Sequence, residues 1–127
     1  MKYGFIGCGN MGGALATAAA KAVGGASLLL ADADTAKANA LAERLGARVA
    51  TNEEIAKNCD YIILGVKPQM MEVVLGNLPI ENEPIMVSMA AGLSIDTLKK
   101  MCKRDLSWIR MMPNMPVAVG EIGRAHV

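Results

Sequence analysis

Residues 4–15 read Gly4-Phe5-Ile6-Gly7-Cys8-Gly9-Asn10-Met11-Gly12-Gly13-Ala14-Leu15, and the crowding of Gly7, Gly9, Gly12 and Gly13 into one turn decides the fold. Glycine loses more conformational freedom on folding than any other residue, so such a cluster needs a backbone reason. The segment Gly7 to Gly12 matches GxGxxG. It follows the apolar run Tyr3 to Ile6 and opens an alanine-rich stretch, Asn10 to Val23. In that strand-to-helix setting each glycine serves the backbone in its own way. Gly7 allows the tight turn, Gly9 lets a pyrophosphate approach the backbone, and Gly12 lets the helix pack closely on the strand. The free N–H groups at the helix start then face an anion.

A dinucleotide site also needs a group at the end of the second strand to hold the adenosine ribose. Asp32 stands there, twenty positions beyond Gly12. A carboxylate at that place accepts hydrogen bonds from ribose hydroxyls and repels a 2′-phosphate, so taken alone it favours NAD over NADP. No Lys or Arg follows Asp32 until Lys37.

Outward from this loop, short apolar runs alternate with helical stretches, the pattern of a parallel sheet covered by helices. Strands are expected at Tyr3–Ile6, Ser27–Ala31, Arg48–Ala50, Tyr61–Val66, Ile85–Met89 and Trp108–Met111. Helices are expected at Asn10–Val23, Thr35–Leu45, Glu53–Asn58 after a Thr51 cap, Gln69–Leu75, and Ile95–Cys102 after a Ser94 cap. The fold class is therefore α/β, a Rossmann-type doubly wound parallel sheet with strand order 3-2-1-4-5-6.

The chain has 127 residues, room for one domain. Its 13 basic and 12 acidic side chains are scattered, which argues against nucleic acid or an anionic membrane surface as a partner. Cys8, Cys59 and Cys102 are odd in number and lack CxxC spacing, so neither a disulfide framework nor a metal site is expected. With no apolar run of about 18 residues, the expectation is a soluble protein of the reducing cytoplasm. Cys8 sits where a helix N-terminus can lower a thiol pKa, but packing under the loop is the favoured role.

Three later segments, Val66-Lys67-Pro68, Val87-Ser88-Met89-Ala90-Ala91-Gly92 and Arg110-Met111-Met112-Pro113-Asn114-Met115-Pro116, carry a resemblance. From about Lys2 to Gly120 the chain resembles the amino-terminal half of the pyrroline-5-carboxylate reductase family. The resemblance implies reduction of 1-pyrroline-5-carboxylate to L-proline, the last step of proline synthesis, with NADPH or NADH as cofactor. It places Ile6, Gly7, Cys8, Gly9, Asn10, Met11 and Gly12 around the pyrophosphate, Asp32 or Asp34 near the adenosine ribose, and Asn52 on the adenosine side. It sets Val66, Lys67 and Pro68 beside the nicotinamide half, with Ala90, Ala91 and Asn114 close to the reacting end. No catalytic side chain of this chain is assigned. The family's common Pro-Asn-Thr-Pro has Met115 in place of its threonine. The family mostly favours NADPH or uses both cofactors, whereas Asp32 points to NADH, so the choice stays open in the sequence.

The resemblance also implies a helical dimerisation domain that holds much of the substrate site, and the expectation is that this chain is truncated before it. Residues 1–120 are read as the dinucleotide-binding domain and 121–127 as a tail that departs from the family pattern and is expected to be non-native. His126, in that tail, is accordingly set aside as a general acid. On this reading a homo-oligomer needs the missing domain, and the chain binds cofactor without turning over substrate. The alternatives are a stand-alone dinucleotide-sensing module, or another small reductase such as a deazaflavin-dependent NADP reductase.

Overall fold

The computed structural model describes residues 1–111. Strands β1 (Tyr3–Ile6), β2 (Leu28–Ala31), β3 (Arg48–Val49), β4 (Tyr61–Leu64), β5 (Ile85–Ser88) and β6 (Trp108–Arg110) alternate with helices α1 (Asn10–Val23), α2 (Thr35–Leu45), α3 (Asn52–Asn58), α4 (Pro68–Gly76) and α5 (Ile95–Cys102). All pairings are parallel and the order is β3-β2-β1-β4-β5-β6, as expected.

The near-continuous apolar strands are explained by burial on both faces. Phe5, Leu28, Leu30, Ile63 and Val87 point to one face, where they pack with Leu15, Ala16 and Ala19 of α1 and Ala38, Leu41 and Ala42 of α2. Ile6, Leu29, Ile62, Leu64 and Met86 point to the other, against Ile55 of α3, Met71 and Leu75 of α4, and Leu98 of α5.

Helix starts follow local chemistry. Asp34 caps α2 by accepting the N–H groups of Ala36 and Lys37, Thr51 and Glu54 form a reciprocal capping box on α3, and Ser94 caps α5. Several bounds differ from the sequence reading. β2 begins at Leu28 because Gly25–Ser27 form a 3-10 turn. α3 takes in Asn52, and α4 starts at Pro68, whose fixed φ and missing N–H suit the first helical position. β4 ends at Leu64, β5 at Ser88 and β6 at Arg110.

The register positions the site. Ile6 lies opposite both Ala31 and Leu64, Leu64 opposite Ser88, and Ser88 opposite Arg110. The strands therefore end in one row, and the loops that follow share one edge of the sheet.

Candidate functional site

That edge has its topological switch point between β1 and β4, where the order reverses and open α/β sheets place their ligands. Gly7, directly after β1, has φ +99°, and a Cβ there would come within 2.7 Å of the Gly65 carbonyl group. One on Gly12 would run into the carbonyl oxygen of Gly7, and one on Gly65 would lie 2.9 Å from that same oxygen. Three backbones thus touch at the switch point. Gly65 was absent from the sequence-derived site; the signal available was a glycine ending an apolar run.

Gly9 differs from these three. It is the N-cap of α1, its backbone is extended, and a Cβ there would meet nothing within 4 Å. The cap makes no side-chain hydrogen bond and the first turn carries no acid. Among the described residues the N–H groups of Gly9, Asn10 and Met11 have no bonded partner. Helix N-termini leave such donors unmatched, and they attract negative charge. α4 is the other helix without a side-chain cap, with Lys67 at its N-cap position. The two uncapped N-termini are those of the helices that follow β1 and β4.

The open cradle at Gly9 and the unmatched donors fit the pyrophosphate of a dinucleotide. The remaining residues proposed from sequence lie on the same edge. Ile6 is buried at the end of β1, Gly12 is buried in α1, and Met11 is 39% exposed. Val66 is half-buried and packs against the α3–α5 core, while Lys67 and Pro68 are exposed. Asn52 is exposed at the start of α3; Ala90 is buried and Ala91 exposed in the turn after β5. Ser88 Oγ accepts the N–H of Ala90 at 3.2 Å, which fixes that turn from below. Asn114 lies outside the described residues.

The two aspartates after β2 have separate partners. Asp32 Oδ2 accepts the N–H of Cys8 at 2.6 Å and Oδ1 accepts the N–H of Asp34 at 2.8 Å. Asp34 is exposed, and its carboxylate is engaged with the first turn of α2. Cys8 is buried, with Sγ 3.5 Å from the carbonyl oxygen of Ala31. Burial, reinforced by the nearby Asp32 charge, pushes its thiol up to about 11, so the helix N-terminus does not activate it and the packing role stands.

Comparison with known proteins agrees with this fold. The family described as NADP oxidoreductase coenzyme F420-dependent matches residues 2–92. Pyrroline-5-carboxylate reductase from Aquifex aeolicus is 36% identical over 121 residues, a match that takes in 94% of this chain and 45% of the relative. Among solved structures, 1-pyrroline-5-carboxylate reductase from Streptococcus pyogenes superposes with a TM-score of 0.76 at 31% identity, over 88% of this chain and 42% of that one. Plasmodium falciparum pyrroline carboxylate reductase, solved with NADP bound, gives a TM-score of 0.71 at 29% identity, again over 88% of this chain and 42% of that one. The chain therefore spans a little under half the length of these relatives. On these matches, and on the glycine loop at the switch point, the chain belongs to the family described as NADP oxidoreductase coenzyme F420-dependent and corresponds to the amino-terminal NAD(P)-binding domain of the pyrroline-5-carboxylate reductases.

Proposed function

We propose that this chain binds a nicotinamide adenine dinucleotide along the carboxyl edge of its sheet. In the longer protein that its relatives exemplify, it presents that cofactor to 1-pyrroline-5-carboxylate for reduction to L-proline. The observation that carries the reading is the uncapped α1 N-terminus with open space at Gly9, beside the three-glycine contact of Gly7, Gly12 and Gly65.

Ile6 to Met11 form the pyrophosphate wall and Asp32 and Asn52 the adenosine side. Val66, Lys67, Pro68, Ala90 and Ala91 border the nicotinamide. The reduced nicotinamide, when bound, supplies a hydride to the imine carbon while the imine nitrogen holds a proton. What these residues contribute is orientation: a rigid loop fixed by close backbone contacts holds the ring in place, and positioning accounts for much of the catalysis in such a reaction. The residues that grip the substrate and make the oligomer are assigned to the part of the relatives that this chain does not span. The three cysteines, all free and buried, suit a reducing cytoplasmic location.

A deazaflavin-linked NADP reductase is the second reading, favoured by the name of the matching family. It ranks behind because the reductase relatives match over 121 residues, well past residue 92 where the family match stops. The test is titration of the purified chain with NADH and NADPH by nucleotide fluorescence, followed by an assay for proline formation. Saturable binding without proline formation is expected. No binding of either nucleotide refutes the site, and turnover by the chain alone refutes the division of labour.

A further inference from the structure

Asp32 is held from two sides. Its bond to Cys8 N–H crosses from the end of β2 to the glycine loop, and its bond to Asp34 N–H closes the turn that leads into α2. If the side chain swung out to solvent, the Cys8 N–H would lose its acceptor beside a buried thiol, a costly arrangement for a backbone donor. The carboxylate is therefore fixed where it stands. A carboxylate offers about four lone-pair sites, and the two backbone donors take two of them. The others can accept protons from the neighbouring hydroxyls of an unmodified ribose. A 2′-phosphate brings only more negative charge to the same place.

The adjoining turns carry no Lys or Arg of their own. After Asp32 come Ala33, Asp34, Thr35 and Ala36. The turn after β3 offers Ala50, Thr51 and Asn52, then Glu53 and Glu54, and the glycine loop offers Cys8, Gly9, Asn10 and Met11. The next cation along the chain, Lys37, stands in the first turn of α2, whose cap is a second carboxylate, that of Asp34.

We propose that this chain selects NADH over NADPH, with Asp32 as the specificity-determining residue and its double anchoring as the cause. The inference rests on the dinucleotide reading above and goes beyond it, since the Plasmodium falciparum relative was solved with NADP bound.

The test is calorimetric titration of the 127-residue chain with NADH and NADPH, and with ADP-ribose and its 2′-phosphorylated form. Within each pair the probes differ only by the 2′-phosphate. NADH and ADP-ribose are expected to bind at least about tenfold more tightly than their phosphorylated counterparts, as like-charge contacts demand. Asp32→Ser, which removes the charge and leaves only a shorter hydroxyl at the end of β2, is expected to close that gap to about threefold or less. Equal or tighter binding of the 2′-phosphorylated probes overturns the proposal and leaves the cofactor site standing. A gap unchanged in Asp32→Ser overturns the assignment to Asp32. Failure of all four probes overturns the cofactor reading itself. Should Asp32→Ser not fold, the ADP-ribose pair on the unaltered chain decides selectivity without it.

Discussion

A Cβ on Gly12 would strike the carbonyl oxygen of Gly7, whereas one on Gly9 would meet nothing within 4 Å, and the Gly9 backbone (φ −73°, ψ −163°) is one that alanine also adopts. The two positions lie in the same turn, yet substitution separates packing from binding. Gly12→Ala must push α1 away from β1, and overpacking of this kind costs about 1–3 kcal/mol; its urea midpoint is expected to fall and its nucleotide affinity with it. Gly9→Ala is expected to keep its stability within about 0.5 kcal/mol, since it disturbs no contact. It should nonetheless weaken NADH binding at least about tenfold, because the new methyl group would occupy the approach proposed for the pyrophosphate. Paired urea and calorimetric titrations check both, and a Gly9→Ala variant that binds like the parent would remove the pyrophosphate from α1. Asp32 stands with these glycines as a residue whose role depends on what it touches, here the Cys8 N–H of another segment.

At the level of elements, the caps decide where helices begin and which beginnings stay free. Thr51 accepts the N–H of Glu54 while Glu54 accepts that of Thr51, in an exposed box where nothing else competes. Thr51→Ala is therefore expected to cost about 1 kcal/mol, read as a shift in urea midpoint with an unchanged slope. NADH affinity should stay as it was, since the hydroxyl is turned to α3. Such caps could be read directly from the chain, as could the alternation of strands and helices, because both depend on residues within a few positions of each other. The glycine loop was legible for the same reason. Gly65 was not: its need for a missing side chain arises only when the end of β4 is laid beside Gly7, a long-range contact that no local pattern records. The start of β2 was misplaced for a related cause, Ser27 being drawn into a 3-10 turn closed by its N–H on the carbonyl of Gly24. Asp32 stands out in the sequence by its distance from Gly12, but the sequence could not say that the glycine loop and the turn into α2 would each occupy one of its acceptor positions.

Across the whole molecule, the two faces of the sheet carry separate cores, and a buried thiol reports on each. Cys8 belongs to the core under α1 and α2, and Cys59 and Cys102 to the one under α3, α4 and α5. Burial is the main cause that pushes Cys8 and Cys59 from 9.0 up to about 11, and it raises Cys102 as well. A thiol whose pKa is higher folded than unfolded keeps its proton more firmly in the native state. Its contribution is thus complete below about pH 9 and drains away as pH rises toward 11. The urea midpoint is expected to hold steady from neutrality to the lower edge of that window and to fall within it. Lysines also titrate there, so the comparison that isolates the thiols is with Cys8→Ala and Cys59→Ala, each of which should flatten part of the fall. The same thiols test cooperativity. At neutral pH they are protonated and buried, so an alkylating reagent should reach them only when the chain opens. If the shared sheet makes the two cores one folding unit, Cys8 and Cys59 will be labelled at the same urea concentration. Earlier labelling of Cys8 would mean that the α1/α2 face opens alone, and the nucleotide site would then form only after the opposite core had already closed on the sheet.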